Sequence, residues 1–172
     1  MLKLASAEAT ILACHAAPKT LDAWPPAPGC VAARIARDEL WLIGPRSERG
    51  RMVSELPRSL LAADPGALAV DQTDGWTIWA LSGAGVREAL ARLTVVPLPA
   101  EEEGTRFLQG AVAGVPGKLL LNGTGIFVFV PAPVGDHLRD RVTSACADLA
   151  PELGAPVAFV EVGHLVGFAG VS

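Results

Sequence analysis

Residues 71–93 read DQTDGWTIWALSGAGVREALARL, and their pattern sets the fold class. Residues 77–81 (TIWAL) are rich in β-branched and aromatic side chains, with Gly75 before them and Ser82-Gly83 after, which makes a bounded strand. Ser82 is placed to cap a helix. Val86, Ala89, Leu90 and Leu93 then recur at i, i+3, i+4 and i+7, one apolar stripe. Trp76, Ile78 and Ala80 point to one side of the strand, Trp79 and Leu81 to the other. Neither side is polar, so this strand has to be covered on both faces.

The same grammar recurs outward from this stretch. Residues 31–35 and 40–43 flank Arg37-Asp38 as a hairpin, and the second arm, LWLI, is again apolar on both faces. Gly44-Pro45 ends it, and Ser47-Glu48 opens a helix carrying Met52, Val53 and Leu56 that Pro57 interrupts, with Leu60 and Leu61 in a last turn. Downstream, 107–115 and 118–121 read as strands around Pro116-Gly117. Residues 122–125 (NGTG) form a turn, 126–130 (IFVFV) a strand, and Leu138, Val142, Ala145 and Leu149 the stripe of a final helix. Strand-turn-strand-helix thus occurs twice, around 68–93 and around 118–149. Residues 1–30 hold a short amphipathic piece at 5–16 and a stretch with Pro18, Pro25, Pro26 and Pro28 that reads as a surface linker.

The expected architecture is α+β: one domain over 1–172, with two similar antiparallel βαβ-type lobes and helices packed on the sheets. The lobes cover about 31–99 and 100–150, with an N-terminal extension over 1–30 and an apolar tail over 151–172. Three amphipathic helices cannot cover both faces of so many two-sided strands. Either two sheets pack face to face, or one face docks on a partner.

Composition narrows the function. The chain is 51% hydrophobic and 19% charged, at the apolar end for a soluble protein, with a formal charge of −4 and no basic block. That argues against nucleic acid and anionic membranes as partners. The longest apolar run, 126–134, is too short to span a bilayer, and Glu8 with the lack of a long apolar centre argues against a secretory signal. Cys14, Cys30 and Cys146 suit a reducing cytoplasm as small buried side chains.

No catalytic constellation emerges. Gly83-x-Gly85 lies between strand and helix as a dinucleotide fingerprint would, but Glu88 stands at the third glycine position, where a carboxylate repels pyrophosphate. A tight packing turn is the stronger reading, and the isolated chain is expected to bind neither FAD nor NAD. Asn122-Gly123-Thr124 fits a glycosylation acceptor, yet Asn-Gly between apolar strands is first a hairpin signal. His137 with Asp136, Asp140 and Arg141 reads as a solvent-facing charged helix surface rather than a metal site, and Cys14-His15 is no catalytic pair. In the tail, 156–172 (PVAFVEVGHLVGFAGVS) has no helical stripe and reads as interface, with Phe159, His164, Phe168 and one of Trp76 and Trp79 as its candidate residues.

Three stretches, taken in order, resemble the gamma subunit of heterotetrameric sarcosine oxidase. They are DELWLIGP over 38–45, DQTDGWTIWALSGAGVREALARL over 71–93, and the run over 117–149 from GKLLLNGTGIFVFVP to HLRDRVTSACADL. The segment that follows the central helix, of Cys-Pro-Leu-Asp-Leu type in the family, reads Thr94-Val95-Val96-Pro97-Leu98 here. The resemblance implies a fold like the folate-binding domain of aminomethyltransferases. It also implies a chain with no active site, cofactor or metal of its own that packs against a large subunit. FAD, FMN, NAD and tetrahydrofolate would then sit in partner subunits that oxidise sarcosine to glycine. A stand-alone folate-dependent aminomethyltransferase-like protein would instead need a carboxylate in a folate pocket, and Asp71 and Asp74 are the candidates for it. A free-standing interaction module is the third possibility.

Overall fold

The computed structural model describes residues 1–25, 28–99, 106–122 and 125–159. Its longest strand is β1 (Lys3–His15), within the stretch expected to be an extension. The sequence KLASAEATILACH is alanine-rich and by local propensity suits a helix. Pairing overrides propensity, because the small side chains sit opposite large ones. Ser6 pairs with Trp79 and Ala13 with Trp41. By contact the chain forms two units, Met1–Glu8 with the described residues from Gly75 onward, and Ala9–Asp74; β1 contributes to both.

In the first unit the start of β1 pairs antiparallel with β5 (Trp76–Ser82). Next come β8 (Gly125–Pro131), β7 (Val115–Asn122) and β6 (Arg106–Val112), all antiparallel. The short β9 (Glu152–Leu153) and β10 (Val157–Ala158) lie parallel to β1. Helices α3 (Val86–Leu93) and α4 (Gly135–Ala145) cover one face, where Leu4, Trp79, Leu81 and Val128 meet Leu90, Leu93, Leu138 and Val142. On the other face Ile78, Leu120, Phe127 and Phe129 are buried too. The two-sided apolarity of TIWAL and IFVFV is therefore met by burial on both faces.

Several local expectations shift by a few residues. Helix α3 starts at Val86 with Gly85 as its N-cap, so Ser82 ends a strand instead of capping a helix. The β6–β7 reversal is at Ala113-Gly114, both with positive φ (53° and 82°), whereas Pro116 and Gly117 lie inside β7. Pro116 is tolerated because it pairs only with Ala111 of β6; the β8 ladder begins two residues later, at Lys118. Strands β7 and β8 pair down to Asn122 and Gly125, the hairpin that the Asn-Gly signal demands, and residues 123–124 lie outside the described residues.

In the second unit the remainder of β1 runs between β3 (Glu39–Pro45) and β4 (Leu68–Asp71), with β2 (Val31–Ala36) outside β3. Helices α1 (Pro18–Ala23) and α2 (Arg49–Ala63) close over Leu12, Cys14, Leu40 and Leu42 with Leu21, Trp24, Met52 and Leu60. The proline-bearing stretch expected to be a surface linker thus supplies a helix and two core residues. Ile11, Ala13, Trp41 and Ile43, on the opposite face, are also buried. Pro57 does not end α2. Burial of Met52 and Leu60 on either side holds the helix, and the carbonyl that Pro57 leaves without its amide belongs to exposed Val53.

The clearest internal repetition is also placed differently. Strands β4 and β5 each pair with β1 and not with each other. The repeated unit is instead strand, proline, one 3-10 turn and helix. β3 leaves through Pro45 (φ −58°, ψ 142°) and residues Arg46–Glu48 into α2; β8 leaves through Pro131 (φ −52°, ψ 136°) and Ala132–Val134 into α4. Among the described residues no helix is long and apolar enough to cross a membrane.

Candidate functional site

The residues singled out for a folate-type carboxylate, Asp71 and Asp74, lie at the exit of β4. Asp71 Oδ1 accepts the Thr73 amide at 3.0 Å, closing a local turn, and Thr73 Oγ1 accepts the buried Ile11 amide at 3.0 Å. This ties the turn to β1. Two arginines from the β3–α2 junction then converge on the carboxylates. Arg49 Nε donates to Asp71 Oδ2 at 2.7 Å, Arg49 Nη2 to Asp74 Oδ2 at 2.7 Å, and Arg49 Nη1 to Asp74 Oδ1 at 3.2 Å. Arg46 Nη2 adds a bond to Asp74 Oδ1 at 3.1 Å.

The cluster is two cations and two anions, hence locally neutral. Burial pushes the Asp71 carboxyl up, but the bonds from Thr73 and Arg49 outweigh it and leave the group below the ordinary aspartate range. The guanidinium of Arg49, then that of Arg46, holds Asp74 low in the same way. A general base needs a free lone pair and a pKa near the working pH. Each of these carboxylates is held ionised with its oxygens engaged. The arrangement therefore fixes backbone at the end of β4 and holds both carboxylates as ionised partners of arginine, with pKa values shifted away from those of a general base. Sequence reasoning missed Arg46 and Arg49, although their spacing, Arg-x-x-Arg, matches Asp-x-x-Asp at 71–74.

The other motifs resolve as structure. Gly83 has φ +94°, and a Cβ there would stand 2.3 Å from the Met1 carbonyl oxygen, so close backbone approach requires the glycine. His137 is exposed and its Nε2 lies 3.0 Å from the Ala113 carbonyl oxygen, while Arg139 pairs with Asp136 and Asp140. No group of three or more acidic, cysteine or histidine side chains suited to a metal occurs among the described residues. Burial raises the thiol pKa of all three cysteines, that of Cys14 to about 12. An open groove of about 380 Å3 is lined by Lys19, Thr20, Ala23, Trp24, Pro25 and Ala63 and holds no carboxylate.

The candidate interface residues separate. Trp79 is in the core of the first unit, 7% exposed, with its indole N–H donating to the Gly135 carbonyl at 3.0 Å. Phe159 is 3% exposed and stacks obliquely on Phe127 with ring centroids 5.0 Å apart. Trp76 is half-buried, with Lys118 Nζ 5.3 Å from its ring centroid. His164 and Phe168 lie outside the described residues. Of the pair Trp76 and Trp79, Trp76 is the one with surface to offer.

The two-sided antiparallel strands and the helices that follow them define a mixed α/β chain with an aminomethyltransferase-like fold. Among solved structures it is similar to a chain of heterotetrameric sarcosine oxidase from Corynebacterium sp. U-96 in complex with pyrrole 2-carboxylate. The TM-score is 0.67 at 16% identity, over 87% of this chain and 85% of that one. It is also similar to glycine cleavage system aminomethyltransferase T from Bartonella henselae, with a TM-score of 0.56 at 14% identity over 92% of this chain. The chain spans about half the length of that aminomethyltransferase (48%). At these identities the likeness is one of fold. No protein-family model and no curated protein sequence matches the chain.

Proposed function

We propose that the chain is a gamma-type, non-catalytic subunit of a multi-subunit, flavin-dependent oxidase of sarcosine or a related N-methyl amino acid, working in the cytoplasm. One observation carries this reading. The fold likeness runs over nearly the whole of both chains in the sarcosine oxidase case, but over only half of aminomethyltransferase T. A likeness that extends over most of one chain of that assembly supports a role as a subunit. The engagement of Asp71 and Asp74 by Arg49 supports the same view, because it leaves neither carboxylate placed as a base. In this reading FAD, FMN, NAD and tetrahydrofolate belong to the partner subunits, and Trp76 is the aromatic side chain best placed at the subunit contact. The two similar βαβ-type lobes expected from the sequence are part of the same reading.

The test is to purify the tagged chain from its own cells, record the flavin spectrum of what accompanies it, and assay sarcosine oxidation. A flavin-bearing large chain and sarcosine-dependent activity are the expected outcome. The second reading, a folate-binding aminomethyltransferase-like protein, draws on the likeness to aminomethyltransferase T. It predicts a chain that purifies alone and binds tetrahydrofolate in calorimetry, and that result would overturn the subunit reading.

A further inference from the structure

Residues 152–159 run along the edge of β1 that lies away from β5, and they are held more lightly than the rest of the first unit's sheet. The antiparallel pairings of that sheet join five to seven residues each, whereas β9 and β10 each join two to β1, in the weaker parallel sense. The two short ladders are also out of step. Leu4 pairs with Leu153 but Ala7 with Val157, so this strap carries one residue more than the edge it lies on. Pro156, within the irregular stretch, has no amide to donate. Residues 152–156 and Ala158 are exposed, Leu153 to 64%, and Val157 is half-buried. Among the described residues Phe159 is the strap's one buried side chain, set against Phe127.

The chain entering the strap is fixed as far as Leu149. Arg92 donates to the Ala145 carbonyl at 3.0 Å and to Asp148 Oδ2 at 2.9 Å, and the Leu149 carbonyl accepts the Leu2 amide at 3.3 Å. The next residue, Ala150, has φ 48° and ψ 65°, a left-handed conformation that strains a residue carrying a Cβ. Hinges are residues at the ends of elements that absorb a change in φ and ψ, and Ala150 stands at such an end. We propose that residues 152–159 are a latch, which leaves β1 as one unit about Ala150 and Pro151 while α3, α4 and the antiparallel sheet stay folded. Phe159 is its catch. Closed, the latch covers the β1 edge over residues 3–8 and one side of the Phe127 ring; open, it uncovers both. Docking holds Ala150 left-handed and undocking frees it, so the closed state works against strain at its own hinge. The latch does not depend on the subunit reading given above.

The test is hydrogen exchange of the full native chain, read amide by amide in rising, sub-denaturing urea. The amides of Glu152 and Gly154 donate to the Leu2 and Leu4 carbonyls at 2.9 and 2.8 Å. They should exchange about a hundredfold or more faster than the amides joining β5 to β8, and with a weaker dependence on urea. Val142→Ala, in the core under α4, weakens the sheet equally whether the latch is open or shut. It should therefore speed exchange in β5 and β8 by about tenfold or more and leave the strap amides unchanged. Phe159→Ala removes the catch and should speed the strap amides by about tenfold or more, whereas Ala150→Gly relieves the hinge and should slow them by about threefold. Strap amides that exchange no faster than those of β5, that speed up with Val142→Ala, that ignore Phe159→Ala, or that fail to slow in Ala150→Gly would each overturn the proposal.

Discussion

Gly135→Ala gives the most demanding test of the packing, because local and tertiary physics predict opposite signs. Gly135 is the first residue of α4, and on helix propensity alone alanine is better by up to about 1 kcal/mol. In the fold, an added Cβ would stand 2.6 Å from Thr77 Oγ1, 2.7 Å from its Cγ2 and 2.8 Å from its Cβ. All three atoms belong to one β-branched side chain on β5, and such a side chain has little freedom to turn away. The Gly135 carbonyl also accepts the buried Trp79 indole, so any retreat of α4 strains that bond. Overpacking of this kind costs about 1–3 kcal/mol, which outweighs the propensity gain and leaves a net loss near 1–2 kcal/mol. For a chain of this size that is a fall in melting temperature of roughly 2–8 °C. The assay is thermal unfolding by circular dichroism for Gly135→Ala, Thr77→Gly and the double variant. Thr77→Gly is destabilising alone, but it removes the clash, so the double variant should be more stable than the sum of the single effects by about 1 kcal/mol or more. A rise in melting temperature for Gly135→Ala, or strict additivity in the cycle, would refute the argument.

Trp79→Ala should cost about 3–5 kcal/mol and prevent soluble expression or lower the melting point sharply, whereas Trp76→Glu should leave the fold intact and reduce only association with a large partner chain, read by co-purification. The carboxyls of Asp71, Asp74 and Asp148 have folded-state pKa values below their unfolded ones, so the stability they contribute is present above about pH 4 and is lost as pH falls through their folded values. Melting temperature should therefore drop steeply below about pH 4 in the wild type and less steeply in Asp74→Asn, and equal slopes would count against the arginine cluster. With thiol pKa values raised by burial, Cys14, Cys30 and Cys146 should react with a thiol reagent at neutral pH only after denaturant is added, and rapid labelling of the native chain would contradict their placement.

Much of the local structure was legible because its causes are local. Alternation and β-branching mark TIWAL, LWLI and IFVFV as strands, the i, i+3, i+4 stripes mark α3 and α4, and Asn-Gly marks the β7–β8 hairpin. Strands apolar on both sides implied burial on both sides, and that requirement holds for residues from Trp41 to Phe129. The order of these elements was also enough to suggest the resemblance that the fold likeness to sarcosine oxidase bears out at the level of fold.

What the tertiary structure alone decided are the choices made by distant partners. β1 is a strand because residues 24 to 150 positions away, from β3 to β10, pair with it, and its small Ser6 and Ala13 stand opposite Trp79 and Trp41. No short window of sequence contains that information. Pro57 stays inside α2 because leucine and methionine anchors on both sides outweigh one lost bond at the carbonyl of Val53, an exposed residue. Asp71 and Asp74 read as candidate acids until Arg46 and Arg49, some 25 residues earlier, are seen to occupy them. Propensity and periodicity are properties of neighbours along the chain. The roles of Trp79, Phe159 and the aspartates depend on neighbours in space, and only the folded chain brings those together.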